Sequence, residues 1–70
     1  MSILQEGQRR RLHKAINGRV YQLSTEKGAV QALFKAIYSA IRERYNVDSY
    51  KSISPQHLQD AIRFVESWKG

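Results

Sequence analysis

Seventy residues, 41% of them apolar, make one small domain with room for a single core. Cysteine is absent, which excludes disulfides and thiolate zinc sites, and no apolar run approaches the roughly 20 residues that span a bilayer. The net charge is +6, and a single-sign surplus of that kind favours polyanionic partners.

The surplus is uneven. Residues 1–23 set Arg9, Arg10, Arg11, Lys14 and Arg19 against Glu6, a net of +4. Residues 24–46 set Lys27, Lys35, Arg42 and Arg44 against Glu26 and Glu43, a net of +2, while residues 47–70 balance three cations against three carboxylates. The field therefore belongs to the first two segments. The same charge also reads as a solvated face that merely keeps a small protein in solution. The opening Met1-Ser2-Ile3-Leu4-Gln5-Glu6 turns polar at once, unlike a signal peptide, so a soluble cytoplasmic protein is expected.

The first helix is predicted over about 5–23. Leu12, Ile16, Val20 and Leu23 recur at spacings of four, four and three, one apolar stripe that Ala15 widens. Asn17-Gly18 is its weak point, because glycine costs about 1 kcal/mol against alanine inside a helix. The stripe nevertheless carries straight through the pair, so a continuous helix is expected. Ser24-Thr25-Glu26-Lys27-Gly28 is read as the connection. The second helix follows over about 27–45, with Val30, Leu33, Phe34, Ile37, Ile41 and Tyr45 as its stripe and Ala29, Ala32, Ala36 and Ala40 as close-packing positions. Being the most apolar segment, it is expected at the centre of the fold.

A polar, aromatic-studded corner comes next, in which Tyr45, Val47, Tyr50 and Ile53 are expected to anchor to the core. A short helical turn capped by Asp48 fits within residues 48–51. Ser54 reads as a side-chain N-cap and Pro55 as the first helical residue, with Ile53 and Leu58 as a hydrophobic staple. The third helix is predicted over about 55–68, carried by Leu58, Ala61, Ile62 and Val65 and broadened by Phe64 and Trp68. The fold class is all-α, a small three-helix domain over residues 1–70 with short connections.

Catalytic signals are lacking. His13 and His57 fall on different helices, Glu43 and Asp60 read as isolated among polar neighbours, and there is neither an HExxH spacing nor a glycine-rich phosphate loop. A non-enzyme is expected, with no cofactor, no metal and no small-molecule substrate. Arg9, Arg10, Arg11, Lys14 and Arg19, supported by Lys51, are the candidate nucleic-acid contacts, since guanidiniums grip phosphates by charge-assisted hydrogen bonds. No recognition helix is legible, so backbone contact with weak sequence preference is the form expected. Gly18, Tyr38 and Trp68 are the candidate protein interface, Gly18 because it admits close backbone approach and Trp68 as an anchor between subunits. Most of the aromatic residues fall at helical spacing and read as core or core rim, with stacking on bases as the alternative.

Gly-Arg-Val-Tyr-Gln-Leu (18–23), the run from Ala36 to Ile53 with Arg44, Tyr45, Val47, Ser49, Tyr50 and Lys51 at its corner, and Ala-Ile-Arg-Phe-Val-Glu-Ser-Trp (61–68) together resemble the C-terminal domain of phage antirepressor-type regulatory proteins. The likeness covers nearly the whole chain from Gly7 onward. It implies a protein that helps relieve repression of phage genes in a bacterial host, with the presumed DNA-binding function in a separate N-terminal domain. The expected function is then a non-catalytic module that associates with itself or with a repressor or other regulatory protein. Direct nucleic-acid binding through the basic first helix is the alternative.

Overall fold

The computed structural model describes residues 4–70, apart from the side chain of Lys27. Of the start read above as polar, 1–6, residues 1–3 lie outside the described residues. Three helices, α1 (Glu6–Lys27), α2 (Val30–Tyr45) and α3 (Leu58–Ser67), carry the fold, with 3₁₀ turns at Tyr50–Ser52 and Pro55–His57. There is no strand among the described residues.

α1 is longer than its apolar stripe suggests and runs unbroken through Asn17-Gly18. Its start is closed by Gln8, whose Oε1 accepts from the Gln5 N–H at 2.7 Å, and by Arg9, whose Nη1 donates to the Leu4 carbonyl at 3.0 Å. Leu4 is thereby tucked into the core at 1% exposure, a core position hidden in a start that reads as polar. At the other end, the expected connection at residues 24–27 is helix instead. The Ser24 and Thr25 hydroxyls donate back to the Tyr21 and Gln22 carbonyls at 2.9 Å, so these residues satisfy their own polarity within the helix. The turn is only Gly28 and Ala29, both at positive φ. Glycine adopts that conformation freely, whereas alanine is strained there by its Cβ. Ala29→Gly is therefore expected to raise stability by roughly 0.5–1 kcal/mol, read as a higher urea midpoint with an unchanged m-value.

The central helix is α1, not α2. It packs against both α2 and α3, whereas α2 and α3 approach each other little along their lengths. The apolar character of α2 misleads because much of it is alanine: Ala29, Ala32 and Ala36 are exposed, and only Leu33, Ile37 and Ile41 are buried. From α1, Leu12, Ile16, Val20 and Leu23 join Ile53, Leu58, Ala61 and Val65 in one core. α2 runs back along α1, so that Phe34 meets Tyr21 near the hairpin tip, while α3 returns in the direction of α1, with Trp68 beside Arg19.

α2 ends at Asn46, which sits left-handed at φ 53° as asparagine readily does, and the Val47 N–H donates to the Arg42 carbonyl at 3.1 Å. The turn expected near residue 48 is present, but its cap is Ser49, whose Oγ accepts from the Lys51 N–H at 3.2 Å. Ser54 does not cap with its side chain. Its carbonyl takes the His57 N–H at 2.8 Å to close a 3₁₀ turn beginning at Pro55, and α3 proper starts only at Leu58. Ile53 and Leu58 are both buried, as the staple requires.

Candidate nucleic-acid interface

One flank of α1 and the facing flank of α2 carry a continuous run of rings. Tyr21 meets Phe34 edge-on at 5.9 Å, Phe34 stacks on Tyr38 at 6.4 Å, Tyr38 leans on Tyr50 at 5.5 Å, and Tyr50 stacks on His13 at 6.4 Å. His13 and Tyr21 lie about 80° apart around α1, eight residues on, yet both meet rings on its α2-facing side, while a spacing of four sets Phe34 and Tyr38 together on α2. Phe34, Tyr38 and Tyr50 are half-buried against the core, whereas His13 is exposed and Tyr21 is 57% exposed. Burial, and secondarily the neighbouring Tyr50 phenol, hold the Tyr38 phenol above its usual range. It is neutral at physiological pH.

Cations border this run on both sides. Arg10 lies beside His13 and Tyr21 on α1, with Lys14 on the outer face of the same helix; Lys35 and Arg42 lie one helical step from Tyr38 on α2; Lys51 follows Tyr50. All five are exposed. Arg10 forms an exposed i, i+4 pair with Glu6 at 3.2 Å, an interaction that leaves it available to phosphate because such pairs are worth little. Lys14, Lys35, Arg42 and Lys51, together with Arg11, make no side-chain hydrogen bond or ion pair among the described residues.

The remaining candidates lie elsewhere. Arg9 is half-buried on the Leu4 carbonyl, and Arg19 sits in the groove between α1 and α3, where its Nε donates to the Trp68 carbonyl at 2.6 Å and its Nη1 to Gln22 Oε1 at 3.1 Å. Arg11 and Lys14 also reach toward α3, lining a shallow groove with Ala15, Ile62 and Glu66. Gly18 lies in the adjoining groove with Ala15, Gln22 and Glu66. Trp68 is half-buried against the core close by. Tyr38 is on the opposite flank, so Gly18, Tyr38 and Trp68 do not form one patch.

A family model described as the ORF6C domain matches residues 2–70. The chain belongs to the ORF6C domain family. ORF6C domains occur in phage antirepressor-type proteins, which makes this one a domain of the phage regulatory kind. No curated protein and no solved structure matches the chain. No helix of the ORF6C domain is long and apolar enough to cross a membrane, among the described residues.

The corner that marks the family resemblance in sequence is held by a polar cluster that sequence spacing did not suggest. Asp60 is not isolated. Its carboxylate accepts from the Tyr45 hydroxyl and, at 3.4 Å, from Nε and Nη2 of Arg44, while His57 stands three residues before it. The Arg44 guanidinium also lies 4.8 Å above the Phe64 ring, so one side chain ties the end of α2 to α3. The Tyr45 hydrogen bond, reinforced by Arg44, holds the Asp60 carboxyl below its ordinary value. Burial, with the Asp60 hydrogen bond second, holds the Tyr45 phenol above its own.

These shifts set a pH window. A carboxyl lowered in the fold stabilises it above its unfolded value near pH 4, and that contribution is lost as pH falls through the folded value. A phenol raised in the fold stabilises it below about pH 10, and that contribution is lost as pH rises through the folded value. Stability is therefore expected to plateau between about pH 4 and pH 10. Asp60→Asn should flatten the acid limb of a pH–urea series and weaken the alkaline limb only in part, since burial still raises the Tyr45 and Tyr38 phenols.

Proposed function

We propose that this ORF6C domain is a non-catalytic module of a phage regulatory protein that holds nucleic acid by its phosphate backbone, with little sequence preference. The observation that carries this reading is the cationic border on the α1–α2 flank, where Lys35, Arg42 and Lys51 have no carboxylate partner among the described residues. Cations left unneutralised by the fold gain counterion-release energy when they meet phosphates. The carboxylates sit mostly on other surfaces: Asp60 is taken by Tyr45 and Arg44, while Glu26 and Glu66 line the α1–α3 side. On this reading the domain works in the cytoplasm of the bacterial host. Amide shifts followed by NMR during addition of a random-sequence DNA duplex test it. Movement centred on His13, Lys35, Arg42 and Lys51, with Arg63 and Glu66 still, is the expected result; movement confined to α3, or none, would contradict it.

A second reading, self-association or contact with a repressor, is favoured by one feature. A Cβ added at Gly18 would meet nothing within 4 Å, so this stretch of the α1–α3 groove is open to a neighbouring backbone. Gly18→Ala is expected to stabilise the domain by up to about 1 kcal/mol, because alanine is the better helix former. Sedimentation mass, followed over a range of concentrations, decides the reading: a concentration-dependent oligomer that this methyl group abolishes supports it, and a monomer at every concentration removes it.

A further inference from the structure

The ring run on the α1–α2 flank asks for a ligand that duplex DNA does not provide. A duplex offers phosphates outside and keeps its bases stacked on one another, so contact with it would use the cations and leave the rings idle. Single strands are held differently, by a cationic track for the backbone together with aromatic side chains on which unstacked bases lie. Both parts are present on one surface here. His13 and Tyr21, the two exposed members, stand eight residues apart on α1, about 12 Å along the helix axis. Phe34, Tyr38 and Tyr50 lie between them at centroid spacings of 5.5 to 6.4 Å. Arg10 borders the run on α1, and Lys35, Arg42 and Lys51 border it on α2 and the 3₁₀ turn after it. The carboxylates carried by the same elements are Glu6, already paired with Arg10, Glu26 on the α1–α3 side, Glu43 on α2 and Asp48 in the connector.

We infer that the α1–α2 flank is a binding site for single-stranded nucleic acid, in which Tyr21 and His13 stack with two or three unpaired bases while Arg10, Lys35, Arg42 and Lys51 hold the backbone. The inference rests on the proposed phosphate-binding function and narrows it to a strand form. An interaction of this kind is tolerant of sequence, because every base has a face to stack.

The test is fluorescence anisotropy of the full chain, at one low salt concentration, with three labelled probes of equal length. These are an oligothymidylate of about fifteen nucleotides, an abasic strand of the same backbone, and a duplex. The expected order is oligothymidylate tightest, with the abasic strand weaker by about tenfold, the ratio that one stacked base supplies. Tyr21→Ala should weaken oligothymidylate binding by a similar factor and leave duplex binding unchanged; its folding is checked by circular dichroism. Equal affinity for the oligothymidylate and the abasic strand, or no effect of Tyr21→Ala on the former, overturns the stacking site while the phosphate-binding function stands. Absence of binding to all three probes removes both.

Discussion

Replacing Ile16 by alanine is expected to cost about 3 kcal/mol, a large share of the domain's stability. Ile16 is fully buried on α1, the helix that packs against both of its neighbours, so the void would open where the whole core meets. Truncation of a buried isoleucine removes its transfer free energy and leaves a cavity that its surroundings fill only in part. A domain of this length has on the order of 4–10 kcal/mol to lose. An equivalent truncation on the α2 surface, Gln31→Ala, should stay within about 0.5 kcal/mol. Urea unfolding followed by circular dichroism checks both, and a small loss for Ile16→Ala would contradict the assignment of α1 as the central helix.

The second large effect is on binding. Changing Arg10, Lys35 and Arg42 together to alanine should weaken duplex affinity at least tenfold at low salt and lower the salt slope by about 2–3. The loss should be alike for all sequences, since phosphate contacts carry no base information. Stability should change by less than about 1 kcal/mol, because all three side chains are exposed and the one ion pair among them, Arg10 with Glu6, lies in solvent. Unfolding curves measured beside the binding curves separate the two effects.

The helices and most of the core were legible in the sequence because apolar spacing alone specifies which face of a helix is buried. Leu12, Ile16, Val20, Leu33, Ile37, Ile41, Leu58 and Val65 all fall where their periodicity puts them. Boundaries depended on local hydrogen bonds that composition does not reveal. Ser24 and Thr25 look like a connection, yet their hydroxyls turn back onto the helix; Ser54 looks like a side-chain cap, yet a 3₁₀ turn uses its carbonyl instead. Centrality was misjudged because alanine counts as apolar in a window but need not be buried in a fold, as exposed Ala32 and Ala36 illustrate.

The candidate site was legible in its parts and not in its arrangement. Arg10, Arg11 and Lys14 stand out as a basic run, yet Arg11 and Lys14 reach toward α3, and Lys35 and Arg42 join Arg10 on one surface only because α2 folds back on α1. The rings of Tyr21, Phe34, Tyr38, Tyr50 and His13 come from three elements, and no spacing rule connects them. Arg19 was indistinguishable in sequence from its basic neighbours until α3 brought the Trp68 carbonyl to its Nε.

The most direct test of the phosphate-binding function is a titration of the chain onto a labelled random-sequence duplex at several salt concentrations. Log affinity should fall linearly with log salt, with a slope between about −3 and −5, the value expected when the unneutralised cations of the α1–α2 flank displace counterions. Failure to bind even at low salt, or binding indifferent to salt, would mean that the +6 charge is a solvated face and that the domain acts through protein contacts instead.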